Sequence, residues 1–270
     1  MDLDGKHAIV TGAAGGIGAA LATRFHAAGA RVVVADVQAA EVRALANRLD
    51  ESRPGSALAV TADIGTEEGN VALIDAARAA FGEVDLFFAN AGIGGGTDPV
   101  TTPEASWMAA FAVNVHAHRW AAKQLLPAWL ARGEGYFCST SSAAGLLSQI
   151  GSAPYTATKH AALAFAEWLA ITYGDAGLRV SCLCPQGVNT AMLRSGDSPD
   201  AGISSAVVRS AGTVLEPATV ADVVLEAITA ERFLILPHPE VLDYFQRKAA
   251  DPDRWIAGMR KLQARIAALR

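Results

Sequence analysis

Short runs of β-branched and other apolar residues recur along the chain, separated by longer alanine-rich segments. The runs at 7–11, 31–35, 57–61, 86–89, 135–140 and 179–184 predict strands. Several are almost continuously apolar, as strands are when both faces of their sheet are covered. Helices are predicted between them at roughly 16–29, 38–52, 67–82, 103–131 and 153–174. Gly29 and Gly82 suit helix ends, and Pro103 suits a first helical turn. Strand and helix in alternation argue for an α/β architecture, a doubly wound and mostly or wholly parallel sheet. Right-handed crossovers leave few other arrangements.

After the sixth strand the regularity loosens. Residues 189–213 are rich in Ser, Gly and Asp and read as irregular chain. A helix near 217–230 and a short seventh strand at 233–236 follow. Pro237-His238-Pro239-Glu240 predicts a turn. Beyond it, 253–269 forms an amphipathic helix with Trp255, Ile256, Met259, Leu262, Ile266 and Leu269 apolar. Such a stripe requires burial. No repeat or break in composition marks a second domain, so 1–270 reads as one unit. Within it, 189–213 is a candidate substrate lid and 237–270 a C-terminal helical extension.

Composition narrows the function. Half the residues are hydrophobic and 18% charged, which excludes a disordered or acidic-tail protein. A net charge of −5 without a long basic run argues against a nucleic-acid surface. No run approaches a membrane span, and the first residues lack a signal peptide's apolar core. Cytoplasmic placement is the expectation. Cys138, Cys182 and Cys184 fall on predicted strands and read as buried thiols. The six histidines show no ligand-like grouping, so no metal is expected.

Candidate chemistry begins at the first strand's end. Thr11-Gly12-Ala13-Ala14-Gly15-Gly16-Ile17-Gly18 lies between a strand and a helix. There, glycines permit a tight turn and let helix N–H groups meet a pyrophosphate. A glycine-rich turn alone also serves structure; its placement is what favours a dinucleotide and a Rossmann-type fold. Asp36 ends the second strand, where a carboxylate accepts hydrogen bonds from ribose hydroxyls. It would repel a 2′-phosphate, and neither Gly15 nor Val37 supplies a cation. NAD is therefore expected rather than NADP. Asp63 and Ile64 after the third strand, and Asn90, Ala91 and Gly92 after the fourth, fall at the same ligand-binding edge.

Tyr155 and Lys159 stand four residues apart on a predicted helix, thirteen residues after Ser142. That spacing puts phenol and ammonium on one face. A phenol titrates near ~10, and a neighbouring cation lowers that value. The pair suits proton transfer to and from an alcohol or ketone.

These motifs, in this order and joined by Asn114, make the chain resemble the short-chain dehydrogenase/reductase family, in its shorter branch, over about residues 5–236. The resemblance implies an oxidoreductase interconverting a secondary alcohol and its ketone. It implies Tyr155 as general acid/base, Ser142 as the group holding the substrate oxygen, and Lys159 on the nicotinamide ribose, depressing the Tyr155 pKa together with the oxidised ring. Asn114 would hold a water leading from Lys159 to solvent. Gly12, Gly16, Ile17, Gly18, Pro185, Val188 and Thr190 would complete the cofactor contacts. Ser141 competes with Ser142, and the spacing to Tyr155 favours Ser142. Gln186 departs from the family, which usually carries glycine directly after that proline. With Met192 and Leu193 it is a candidate substrate contact. A small apolar or aromatic substrate and a homodimer or homotetramer built through 103–131 and 153–174 are further expectations.

Blander readings stand beside these. His116 and His118 read as helix-surface residues, and Trp107, Trp120, Trp129 and Trp168 as core or interface packing. Competing functions are an NADP-dependent 3-oxoacyl thioester reductase, a non-catalytic dinucleotide-binding sensor and a methyltransferase on a similar sheet. The last leaves Tyr155 and Lys159 unexplained.

Overall fold

The computed structural model describes residues 1–195 and 203–268. Seven strands are joined in one wholly parallel sheet. In chain order they are β1 (His7–Thr11), β2 (Arg31–Asp36), β3 (Ala57–Thr61), β4 (Leu86–Ala89), β5 (Gly135–Thr140), β6 (Leu178–Leu183) and β7 (Leu234–Ile235). Their order across the sheet is β3-β2-β1-β4-β5-β6-β7. The chain winds outward from β1 to β3, then returns to β1's other side and winds outward again. The point of return is where an open α/β sheet leaves a crevice beyond its strand ends.

The helices are α1 (Gly16–Ala27), α2 (Ala39–Ser52), α3 (Glu67–Phe81), α4 (Glu104–Phe111), α5 (Ala117–Arg132), α6 (Ala144–Leu147), α7 (Ala153–Tyr173), α8 (Ala191–Ser195), α9 (Ser204–Ser210), α10 (Pro217–Thr229), α11 (Glu240–Ala250) and α12 (Pro252–Ala267). Side chains alternate across a strand, so each strand supplies two cores. Ala8, Val10, Val32 and Val34 face one side, against Phe25 of α1, Leu45 of α2 and Val224 of α10. Ile9, Val33 and Phe87 face the other, against Leu73 of α3, Trp129 of α5 and Leu169 of α7. Phe87 and Phe137 stack there at 6.0 Å. Trp129 is buried, and its indole N–H donates to the Val84 carbonyl at 2.7 Å, which satisfies the one polar atom it takes inside.

The helix expected at 103–131 is divided. A π-turn, Ala112–His116, separates α4 from α5. The tail carries two helices where one was expected, because α11 begins directly after Pro239. Its partner α12 is capped by Asp251, whose carboxylate accepts from the Arg254 N–H at 3.0 Å. Of its predicted stripe, Ile266 is buried, Trp255, Met259 and Leu262 are half-buried, and Ile256 is exposed; Leu269 lies outside the described residues. The 189–213 segment is less irregular than expected, since it contains α8 and α9. The centre of the proposed lid, 196–202, lies outside the described residues.

Candidate active site

A cleft of about 750 Å³ runs along the C-terminal edge of the sheet. Its floor at one end is the turn after β1. Gly18 is forced there by contact: a Cβ would lie 2.1 Å from the Gly12 carbonyl oxygen. Gly12, Gly16 and Ile17 line the same wall. Asp36 closes this end at the tip of β2, accepting from the Ala14 and Gln38 N–H groups at 3.1 and 3.2 Å. Asp63 and Ile64 follow from β3; the Asp63 carboxylate accepts from the Gly65 N–H at 2.9 Å.

Asn90 knits the middle of the cleft. Its amide donates to the Thr11 carbonyl at 2.9 Å, and its oxygen accepts from the Thr140 hydroxyl at 3.2 Å. Three neighbouring strand ends, β1, β4 and β5, are thereby held in register. Ala91 and Gly92 continue the wall, as do Pro185, Val188 and Thr190 across the cleft.

The chemically distinctive end is built by β5 and α7. Lys159 is 2% exposed, and its ammonium donates to the Thr140 carbonyl at 2.9 Å. It lies 5.5 Å from the centre of the Tyr155 ring. Desolvation lowers its pKa to about 8, with the Cys182 and Cys184 sulfurs acting in the opposite direction. The two serines separate cleanly. Ser141 donates to the Lys159 carbonyl at 2.7 Å and ties β5 to α7. The Ser142 hydroxyl accepts from the Ala144 N–H at 3.1 Å and reaches the Pro185 carbonyl at 3.3 Å. It also hydrogen-bonds the Tyr155 phenol.

The expected depression of the Tyr155 pKa is not found in the protein alone. Burial raises it, and the Ser142 hydrogen bond opposes that rise. The ammonium is spent on a backbone carbonyl and faces the ring rather than neutralising a phenolate.

Among the residues expected to act together, Asn114 alone does not line the cleft. It is fully buried in the π-turn. Its oxygen accepts from the Ile93 N–H at 2.9 Å, while its amide donates to the Ile93 carbonyl and the Thr158 hydroxyl at 2.9 and 3.0 Å. It thus braces the loop that carries Gly92. A Cβ on Gly92 would lie 3.2 Å from both the Asn114 oxygen and the Lys159 ammonium, so these three groups meet at one point.

His118 is corrected from a surface residue to a core one. It is 1% exposed, bonded to Ser139 at 3.0 Å, and burial beside Lys159 lowers its pKa to about 3. His238 was read as part of a turn. Instead it is buried, accepting from the Gln186 N–H at 3.2 Å through Nδ1 and contacting the Gly187 and Thr213 carbonyls through Nε2. Gln186, Met192 and Leu193 do line the cleft. So do Thr97, Gln149, Ser152 and Val208, which no motif marked. Their only signal was position in loops after strands β4 to β6. Cys138, Cys182 and Cys184 are buried and free.

The family described as short chain dehydrogenase matches residues 6–200. A 1-deoxy-11-beta-hydroxypentalenate dehydrogenase of Streptomyces exfoliatus is 36% identical over 245 residues, 89% of this chain and 86% of its own length. A 7alpha-hydroxysteroid dehydrogenase of Escherichia coli strain K12 is 33% identical over 200 residues, covering 74% and 78%. A short chain dehydrogenase/reductase from Burkholderia phymatum, solved in complex with NAD, superposes with a TM-score of 0.84 at 30% identity, over 94% of this chain and 96% of that one.

Proposed function

The chain belongs to the short chain dehydrogenase family, and from that premise we propose that it interconverts a secondary alcohol and its ketone with NAD. The observation that carries this reading is the convergence of the Tyr155 phenol, the Ser142 hydroxyl and the Lys159 ammonium at one end of a cleft whose other end holds Asp36. The glycine-floored cleft, open along five strand ends, fits a dinucleotide. When bound, the nicotinamide gives or takes the hydride at the substrate carbon. Tyr155 donates a proton to the carbonyl oxygen in reduction and accepts one from the alcohol in oxidation. Ser142 holds that oxygen and stabilises negative charge developing on it. Lys159 holds the nicotinamide ribose hydroxyls. A lysine titrating near 8 also exchanges protons in the neutral range, where an ordinary lysine does not.

Asn114 acts as a positioning residue. The water once expected on it would have to use the second lone pair of its amide oxygen, since its other groups are committed. NAD is favoured because the Asp36 carboxylate stands where a 2′-phosphate would lie, with uncharged Gly15 and Val37 beside it. The names of the relatives point to ring-bearing hydroxy compounds, and Met192, Leu193 and Val208 offer such a substrate an apolar mouth. The same reading has one domain, a cytoplasmic location and a homodimer or homotetramer through α4, α5 and α7, where Met108, Trp168 and Ile171 stand exposed. Independently of that reading, no helix among the described residues is long and apolar enough to cross a membrane.

The test is oxidation of a panel of cyclic secondary alcohols with NAD and NADP side by side, followed by absorbance of the reduced nicotinamide. Turnover with NAD is expected, and Tyr155→Phe should abolish it while NADH still binds. Equal use of NADP would remove the role given to Asp36; a Tyr155→Phe protein that kept most of its activity would remove Tyr155 from the mechanism.

A further inference from the structure

A second cavity, of about 290 Å³, lies beside the catalytic cleft. That is room for roughly ten water-sized groups. Gln149, Gln186 and Val208 border both spaces, so a partition of three side chains stands between them. Gln149 is tied across to α9, its amide donating to the Ser204 carbonyl at 3.3 Å. The Gln186 amide oxygen is buried and has no hydrogen-bond partner. An uncommitted polar atom in a partition is suited to a ligand that passes it.

The far wall comes from the C-terminal helices. Helix α11 packs on α6 and α12 on α9. Tyr244, Trp255 and Met259 give this wall an apolar and aromatic face, and Arg247 and Arg265 supply two guanidinium groups. Arg247 lies over the Tyr244 ring at 5.9 Å. Neither arginine is in an ion pair among the described residues. The charge is local: residues 240–270 carry seven basic and four acidic side chains in a chain of net charge −5. An apolar cavity edged by two unpaired guanidinium groups complements a hydrophobic body ending in an anion. A carboxylate matches their planar donor fork best.

We infer that this cavity is a second subsite of the substrate cleft, and that the alcohol or ketone carries a distal carboxylate held by Arg247 and Arg265. The inference rests on the reading of the cleft as the site of secondary-alcohol oxidation. Gln186 then has a role that a glycine could not fill, as the polar group lining the passage between reaction centre and anchor.

The experiment compares 11-hydroxydodecanoic acid with its methyl ester as substrates of the full-length enzyme and NAD, with cyclohexanol as a neutral control. Charge-assisted hydrogen bonds to the acid should make its KM roughly ten- to hundredfold lower than the ester's at similar kcat. The double variant Arg247→Ala/Arg265→Ala should erase that difference while leaving the ester's KM and both kcat values unchanged. Arg247→Lys/Arg265→Lys should restore part of it. Equal KM for acid and ester in the unmutated enzyme would overturn the subsite while leaving the alcohol reaction standing. So would a double variant that weakens acid and ester alike. If acid, ester and cyclohexanol all fail with both NAD and NADP, the reaction itself is wrong and the subsite falls with it.

Discussion

Lys159 keeps a positive charge where water is scarce, and that has a measurable cost. Its native pKa of about 8, against 10.5 for an ordinary lysine, corresponds to roughly 3 kcal/mol by which folding disfavours the charged form. The penalty is complete below pH 8, where folded and unfolded chains both hold the proton. Between 8 and 10.5 the unfolded chain binds more protons, so stability rises with pH and the penalty fades. Lys159→Met should therefore stabilise the protein by about 1–3 kcal/mol at pH 7 in urea unfolding, with a gain that shrinks above pH 8 and with turnover lost. A variant less stable than the parent at pH 7 would mean that the Thr140 hydrogen bond outweighs desolvation. The Tyr155 and Lys159 pair was legible because helical spacing fixes which side chains share a face. The sign of the phenol's shift was not. It depends on burial and on the Ser142 contact, neither of which a spacing contains.

At the level of elements, the π-turn at Ala112–His116 explains why one predicted helix became two. No Gly or Pro falls between Glu104 and His116, so nothing in the local chain announces the break. Its cause is tertiary: Asn114 is turned inward to hold both backbone groups of Ile93. Asn114→Leu keeps the volume but orphans the Ile93 N–H and carbonyl in a buried setting. A loss of about 2–4 kcal/mol in thermal or urea unfolding is expected, together with reduced kcat/KM as Gly92 and Lys159 lose their brace. Wild-type stability in that variant would leave Asn114 without its positioning role. Helix α11 was missed for a different reason. Two prolines ahead of it read as a turn, and among its residues only Val241 is buried, too few to give a strong stripe. By contrast the first six strands were readable, since coverage on both faces makes them continuously apolar.

For the whole molecule, parallel topology follows from the alternation of elements, whereas the partners of each buried polar group do not. His7, His26 and His118 illustrate this. All three are buried, and burial lowers the pKa of each, His118 to about 3. Below pH 6.5 the unfolded chain takes up protons that the native one refuses, so stability falls on acidification. His118 alone should cost about 2 kcal/mol between pH 6.5 and 5. His118→Gln should flatten the decline of the urea midpoint over that range; an unchanged slope would assign the acid sensitivity elsewhere. The architecture has one more consequence. Strand β7 is two residues long, and of the described chain beyond it only Leu236 and Val241 pack in the two cores. Descendants of such a protein can exchange everything after that strand and so acquire new appetites, while the inherited hydride apparatus stays as it was.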